Sequence, residues 1–354
     1  MDWPEDPDSL LAGPRGRRLC WALVDEIGGG LGKAWTGPAW GQLRRSGSPG
    51  GDRAALAAEL AAVVGQADWA GVTAGMSDLA LLAPLAESVT WAMYWQPPDE
   101  VDQALAHPEV AETLRPVAHA VARAPGARWW STGVELSTQQ YMEPVGGASE
   151  GPALSGAAER LAGWRTATAE DERSAAERPA DPAANYSGRW WSSPRWPFPA
   201  VSTTRALPGF GPPRLIAIED WPGWDEVRCW PLAPLRAPRT YEITGPADWS
   251  DLVARYPLEV TKSRRHDWWR VTGWAGTWLM PDYAAAASDF DAIHLTVGGY
   301  LTTAGRALPV ADARCLLGGW DPDETYWLAD VLTAAGPPVR WIQDDSAQLC
   351  WRRA

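Results

Sequence analysis

The sequence predicts an α+β fold: a helical N-terminal part followed by a mixed, mainly antiparallel sheet with short helices. Three observations predict it. Alanine- and leucine-rich segments with helix start signals fill the first third of the chain. Runs of β-branched and aromatic residues dominate the later part. The helices between those runs are too short for regular βαβ winding. The expected organisation is a mainly helical region over residues 1–125 and an α+β sheet region over residues 126–354. The 354 residues suit one large domain or two ordinary ones.

The elements follow in order. Up to about residue 50, only residues 18–24 read as a packed element. Gly28-Gly29-Gly30-Leu31-Gly32-Lys33 is similar to a phosphate loop on the surface, but Ala34 stands where a magnesium-binding hydroxyl belongs. Asp52 can cap a helix over residues 53–64, with Leu56 and Leu60 on one stripe. A second helix is expected over 77–87, interrupted at Pro84, and a strand over 89–95, stopped by Pro97-Pro98. Pro108 opens a helix to about residue 122 that Pro116 splits. His107 and His119 on that helix read as structural. Residues 128–132 read as β-like, residues 146–158 as a loop, and residues 157–178 as a charged helix. Residues 188–194 repeat the Arg-Trp-Trp-Ser phrase of residue 128, which suggests two similar edge strands. Strands are then expected over 215–220 (buried on both faces), 226–230 and 240–244. Short helices follow over 248–256 and from Pro281 to Phe290. Strand 292–297 ends at Gly298-Gly299, and strands 325–328 and 339–342 finish the sheet.

Composition limits function. The net charge of −13 argues against general nucleic-acid or anionic-membrane binding. The short basic run of residues 262–266 reads as a solvated turn. No segment reaches the roughly 20 apolar residues of a spanning helix, and the acidic N-terminus does not read as a secretory signal. Four scattered cysteines, with no C-x-x-C pair, suit a reduced, cytoplasmic protein. The anomaly is 25 Trp against 3 Phe and 8 Tyr. Indoles either fill the core or line a cleft for a flat ligand, each wanting a partner for its N–H when buried. A small-molecule ligand is therefore expected, and a protein partner is an alternative.

The chemistry-bearing residues concentrate late in the chain. His266 lies in an expected loop beside Arg265 and Asp267. His294 sits in an apolar strand that Asp291 begins, and acids flank Trp320. These histidines with one carboxylate would suit a metal, but no ligand spacing supports it, so no metal site is assigned. No G-x-S-x-G elbow marks a serine hydrolase. The order Gly188 to Ser193, then strand 241–244, then the acidic stretch to Glu324 is loosely similar to ADP-ribosyltransferase-type folds. That resemblance implies an enzyme acting on a nucleotide-type substrate, with NAD⁺ consumed. It implies Trp190 or Trp191 stacking on nicotinamide, with Ser192 and Ser193 around it. Glu324 would stabilise the positive ribose, and Arg265 or His266 would meet the pyrophosphate. Pro322 stands where the family carries a second acid or glutamine. His266 and His294 are expected to be catalytic beside Glu324, and Asp291, Trp320 and Tyr326 complete the expected ligand-binding set. Residues 241–328 also resemble a tryptophan-rich group of bacterial proteins with no established activity, through phrases such as Arg265-His266-Asp267-Trp268 and Trp320-Asp321-Pro322-Asp323-Glu324. The second reading is a non-catalytic, tryptophan-rich binding protein.

Overall fold

The computed structural model describes residues 6–27, 53–147, 151–344, 346 and 348–354. The phosphate-loop-like segment 28–33 lies outside the described residues. The chain is α+β. The N-terminal helices are α1 (Ser9–Ala12), α2 (Pro14–Ile27), α3 (Arg53–Val64), α4 (Trp69–Ala74), α5 (Leu82–Thr90), α6 (Glu100–Leu105), α7 (Pro108–Thr113) and α8 (Arg115–Arg123). The later ones are α9 (Ala157–Ser174), α10 (Pro246–Arg255), α11 (Thr261–Thr272), α12 (Tyr283–Ala286) and α13 (Val297–Thr303).

α2 lies at the centre of the N-terminal layer and packs on α5, α6 and α13. Its buried face carries Leu19, Cys20, Leu23 and Val24, but also Arg15 and Arg18. Guanidinium groups among apolar side chains require partners. Arg15 pairs with Asp102, and Arg18 with Asp99 at 2.9 Å. The prolines act as expected: Pro108 opens α7, and Pro116 lies in the first turn of α8.

Among the described residues thirteen strands follow: β1 (Gln139–Pro144), β2 (Val201–Arg205), β3 (Glu226–Pro234), β4 (Thr240–Ile243), β5 (Pro257–Glu259), β6 (Trp278–Pro281), β7 (Ala292–Leu295), β8 (Leu308–Val310), β9 (Ala313–Cys315), β10 (Thr325–Trp327), β11 (Leu332–Ala334), β12 (Val339–Gln343) and β13 (Trp351–Arg353). The larger sheet runs β13-β12-β3-β1-β2-β10-β7-β4, with β11 also on β3. Only its β4–β7 pair is parallel, with Glu242 beside His294 in register. A smaller sheet runs β5-β6-β9-β8. α10 packs on β4 of the larger sheet and on β6 and β8 of the smaller one.

Four local expectations are corrected. Residues 89–95 do not form a strand, because α5 runs to Thr90 and a turn follows. Leu82, Leu85 and Val89 recur at helical spacing and are fully buried, so the helical period outweighs the local β preference. Residues 128–131 fall in a 3₁₀ helix, Pro125–Ser131, which puts Trp130 in the core, and Thr132 follows it. Residues 188–194 are not strand, although Ser192 N donates to Gly318 O at 2.8 Å. Residues 215–220 begin at the end of a 3₁₀ turn, Pro213–Leu215, and bury Leu215, Ala217 and Ile218 without a ladder. In each case aromatic or branched residues report burial and not strand pairing. Two smaller corrections concern α11, a helix that holds His266 where a loop was expected, and Gly298-Gly299, which lie inside α13. A Cβ at position 299 would stand 2.2 Å from Ile243 O. Glycine there lets α13 approach β4.

One contiguous hydrophobic cluster draws side chains from Leu10 to Leu328, so the helical part and the sheets share a core. Cys20, Cys229 and Cys315 are buried free thiols, and Cys350 is exposed and free. Among the described residues no helix is long and apolar enough to cross a membrane.

Candidate functional site

The acidic stretch around Trp320 folds into a tight loop between β9 and β10. Gly319 (φ 71°) and Asp323 (φ 63°) take left-handed backbone conformations that let it turn. Trp320 is fully buried, edge-on to Tyr326 with centroids 4.9 Å apart and to Trp249 at 6.0 Å. Its Nε1 donates to Glu324 O at 3.0 Å. This indole is a core residue that pins its own loop.

The loop acids are buried and matched by cations. Asp321 accepts from Arg214 Nε at 2.7 Å and from Glu219 N at 2.8 Å. The Glu324 carboxylate accepts from Asp321 N at 3.0 Å and lies 3.5 Å from Arg195 Nη2 and 3.4 Å from Arg214 Nη2. Asp323 accepts from Arg205 Nε at 2.7 Å and Arg205 N at 3.0 Å. Arg195 Nε also donates to Tyr326 OH at 2.9 Å. Burial, aided by the Glu324 charge, raises the Tyr326 phenol above its ordinary value. Such buried charges hold only when every partner is in place.

His294 joins this network from β7. Its Nδ1 faces Glu242 Oε2 at 2.5 Å and its Nε2 faces Asp323 Oδ1 at 3.3 Å. A ring with a carboxylate on each nitrogen donates to both only as an imidazolium. Burial opposes that charge, but the bonds to Asp323 and Glu242 outweigh it and raise the pKa to about 8. Its two carboxylate partners hold the His294 ring in place and occupy both nitrogens. Asp291 lies at the head of the same strand and is held by Arg236 at 2.7 Å and Arg239 N at 2.8 Å, which keep its carboxyl well below the usual range.

The remaining expected residues lie in a second neighbourhood. His266 on α11 bonds Pro179 O at 3.1 Å and tilts against Tyr186. Burial and then Arg265 lower its pKa. Arg265 donates to Arg178 O at 2.8 Å. His266 and His294 therefore share no partner. Trp190 packs with Tyr94, Trp95 and Trp191, and its carbonyl accepts from Trp268 Nε1 at 2.7 Å. Ser192 Oγ donates to Gly318 O at 3.1 Å, and Ser193 Oγ to Gly319 O. These hydroxyls staple residues 192–193 to the acidic loop. The fold thus brings together Glu324, Trp320, Tyr326, Ser192, Ser193 and His294 as interior structure. It leaves Arg265 and His266 apart from them. Among the described residues no group of His, Cys, Asp and Glu is arranged to hold a metal ion.

An open site lies elsewhere. A cleft of about 290 Å³ is bounded by α2, the turn after α5 and residues 305–307. Among the described residues, Arg15, Arg17 and Arg306 line it with a single carboxylate, Asp102. Tyr94 forms one wall, and its ring packs against Gly318 at the start of the acidic loop, where an added Cβ would lie 2.9 Å from it. Trp91, 37% exposed, offers an indole at the edge, with Arg18 stacked 4.8 Å from the ring centroid. The volume is at the lower end of small-molecule sites, roughly 300–1,000 Å³. Sequence reasoning missed this site because Trp91 and Tyr94 read as strand. The one available signal was the Arg15-Gly16-Arg17-Arg18 charge run entering an apolar helix.

No protein-family model matches the chain, and no curated protein or solved structure shows significant similarity to it.

Proposed function

We propose that this chain is a non-catalytic binding protein for a small molecule and that the cleft beside Trp91 is its site. One observation carries the reading. The cleft is where an exposed indole and the half-buried Arg17 and Arg306 border open space, while the acidic loop spends its charges on itself. The transferase reading asks Glu324 to face a ribose, but its carboxylate is fully buried against Arg195 and Arg214. It asks Trp190 to stack on nicotinamide, but that ring is already packed among Tyr94, Trp95 and Trp191. Binding uses the groups that remain. Aromatic surface and a few placed polar donors are what small-molecule sites are built from.

Isothermal titration calorimetry against a panel of nucleosides, nucleotides, sugars and aromatic metabolites tests the reading. Saturable heat is expected with at least one of them, weakened tenfold or more by Trp91→Ala. Flat titrations across the panel, or binding indifferent to Trp91→Ala, would overturn it.

A further inference from the structure

The cleft carries a charge imbalance that names its ligand class. Of its arginines, Arg15 is closed off by Asp102 and by Ser88 O at 2.6 Å. Arg17 and Arg306 are different. Among the described residues neither has a carboxylate within 4.0 Å. Each is tethered through one nitrogen to a backbone carbonyl, Arg17 Nη1 to Leu11 O at 2.9 Å and Arg306 Nη1 to Thr302 O at 2.6 Å. Those tethers fix the guanidinium planes without neutralising them. Arg17 Nε is shielded from solvent and bonds no acceptor. Burial pulls the Arg17 pKa down to about 10, opposed by the more distant Asp102 charge and aided by repulsion from Arg15 and Arg306, and burial lowers that of Arg306 too.

Half-buried cations without counter-charges cost stability unless a partner arrives. This protein has an excess of acids, with a net charge of −13, yet among the described residues none pairs with these two groups, and Asp102, bonded to Arg15, acts on Arg17 only at longer range. Two neighbouring forks suit an oxyanion with several acceptor oxygens and more than one negative charge. Resting on the proposed binding reading, we infer that Arg17 and Arg306 together clamp the phosphate of a small phosphate monoester, whose apolar or ring portion lies toward Trp91. Neutral ligands leave the two cations unmatched and bind less well.

Calorimetry with adenosine monophosphate, adenosine, inorganic phosphate and succinate tests the clamp on the full chain. The monophosphate is expected to bind at least tenfold more tightly than adenosine, and inorganic phosphate to compete with it. Arg306→Met and Arg17→Met should each weaken the monophosphate tenfold or more and weaken adenosine far less. Arg306→Lys, which keeps the charge but not the fork, should bind the monophosphate more tightly than Arg306→Met and less tightly than wild type, so a misfolded methionine variant does not remove the test. Raising the salt concentration should weaken the monophosphate and not the nucleoside. Succinate binding as tightly as the monophosphate would overturn phosphate selectivity. Equal affinity for adenosine and its monophosphate, unaffected by either arginine, would overturn the clamp and leave the binding reading standing. Silence from every ligand of both panels would overturn both.

Discussion

Glu219→Gln should flatten the pH dependence of folding, because Glu219 carries its proton in the native state at neutral pH. The residue is 1% exposed, and its Oε2 accepts from Gly319 N at 2.5 Å. Tyr94 and Tyr300 crowd it with hydroxyls that make no well-formed hydrogen bond. Burial, with Asp321 adding like charge, pushes its pKa up to about 8 from an ordinary 4.5. Below pH 4.5 both the folded and unfolded chains hold this proton, and the group adds no pH dependence. As the pH rises, the unfolded chain releases the proton while the folded chain keeps it. Stability is therefore lost from about pH 4.5 up to about pH 8, where the native carboxyl finally ionises. At 1.36 kcal/mol per unit, the whole loss is on the order of 5 kcal/mol. Glutamine resembles the protonated acid: its carbonyl can accept from Gly319 N, and it cannot ionise. Urea unfolding followed by tryptophan fluorescence at several pH values from 4.5 to 8.5 reads the difference. The variant should match wild type at the acid end and exceed it by several kcal/mol at pH 8 and above. Parallel curves across that range would refute the buried, protonated assignment.

Other outcomes follow from the same interior. His294 is raised to about 8 from 6.5, so its contribution is complete below pH 6.5 and disappears as the pH rises through 8. The stability advantage of wild type over His294→Gln should shrink by about 2 kcal/mol across that window in urea titrations, and a constant gap would count against the imidazolium. Trp320→Ala removes a fully buried indole and the Nε1 bond that pins its loop. It should cost about 3–5 kcal/mol in urea unfolding, whereas a loss under 1 kcal/mol would show the indole is not a core anchor. Incubation with NAD⁺ should release no nicotinamide above the buffer rate from wild type or from Glu324→Gln. Release by wild type alone would restore the transferase reading.

The fold was legible where sequence signals were redundant. Helix α3 has a leucine stripe, α7 and α8 have their prolines, and β4, β7 and β10 have branched and aromatic runs with turns at their ends. It was not legible where one signal stood alone. Residues 89–95 carry β-favouring side chains, but the burial of Leu82, Leu85 and Val89 against α2 decides their conformation, and that contact is long-range. The clustering of acids around Trp320 was visible; their pairing was not, because Arg195, Arg205 and Arg214 come from distant segments. His266 and His294 looked equivalent in sequence, yet a helix and a strand carry them to different partners. The cleft depends on α2 meeting residues 305–307, a contact no local pattern announces.

Hydrogen–deuterium exchange of the full chain, with and without adenosine monophosphate, locates the ligand most directly. Added protection should fall on peptides from α2, residues 91–98 and residues 302–307, with residues 188–194 and 318–327 unchanged. Protection confined to residues 188–194 and 318–327 would contradict the account and return the site to the acidic loop.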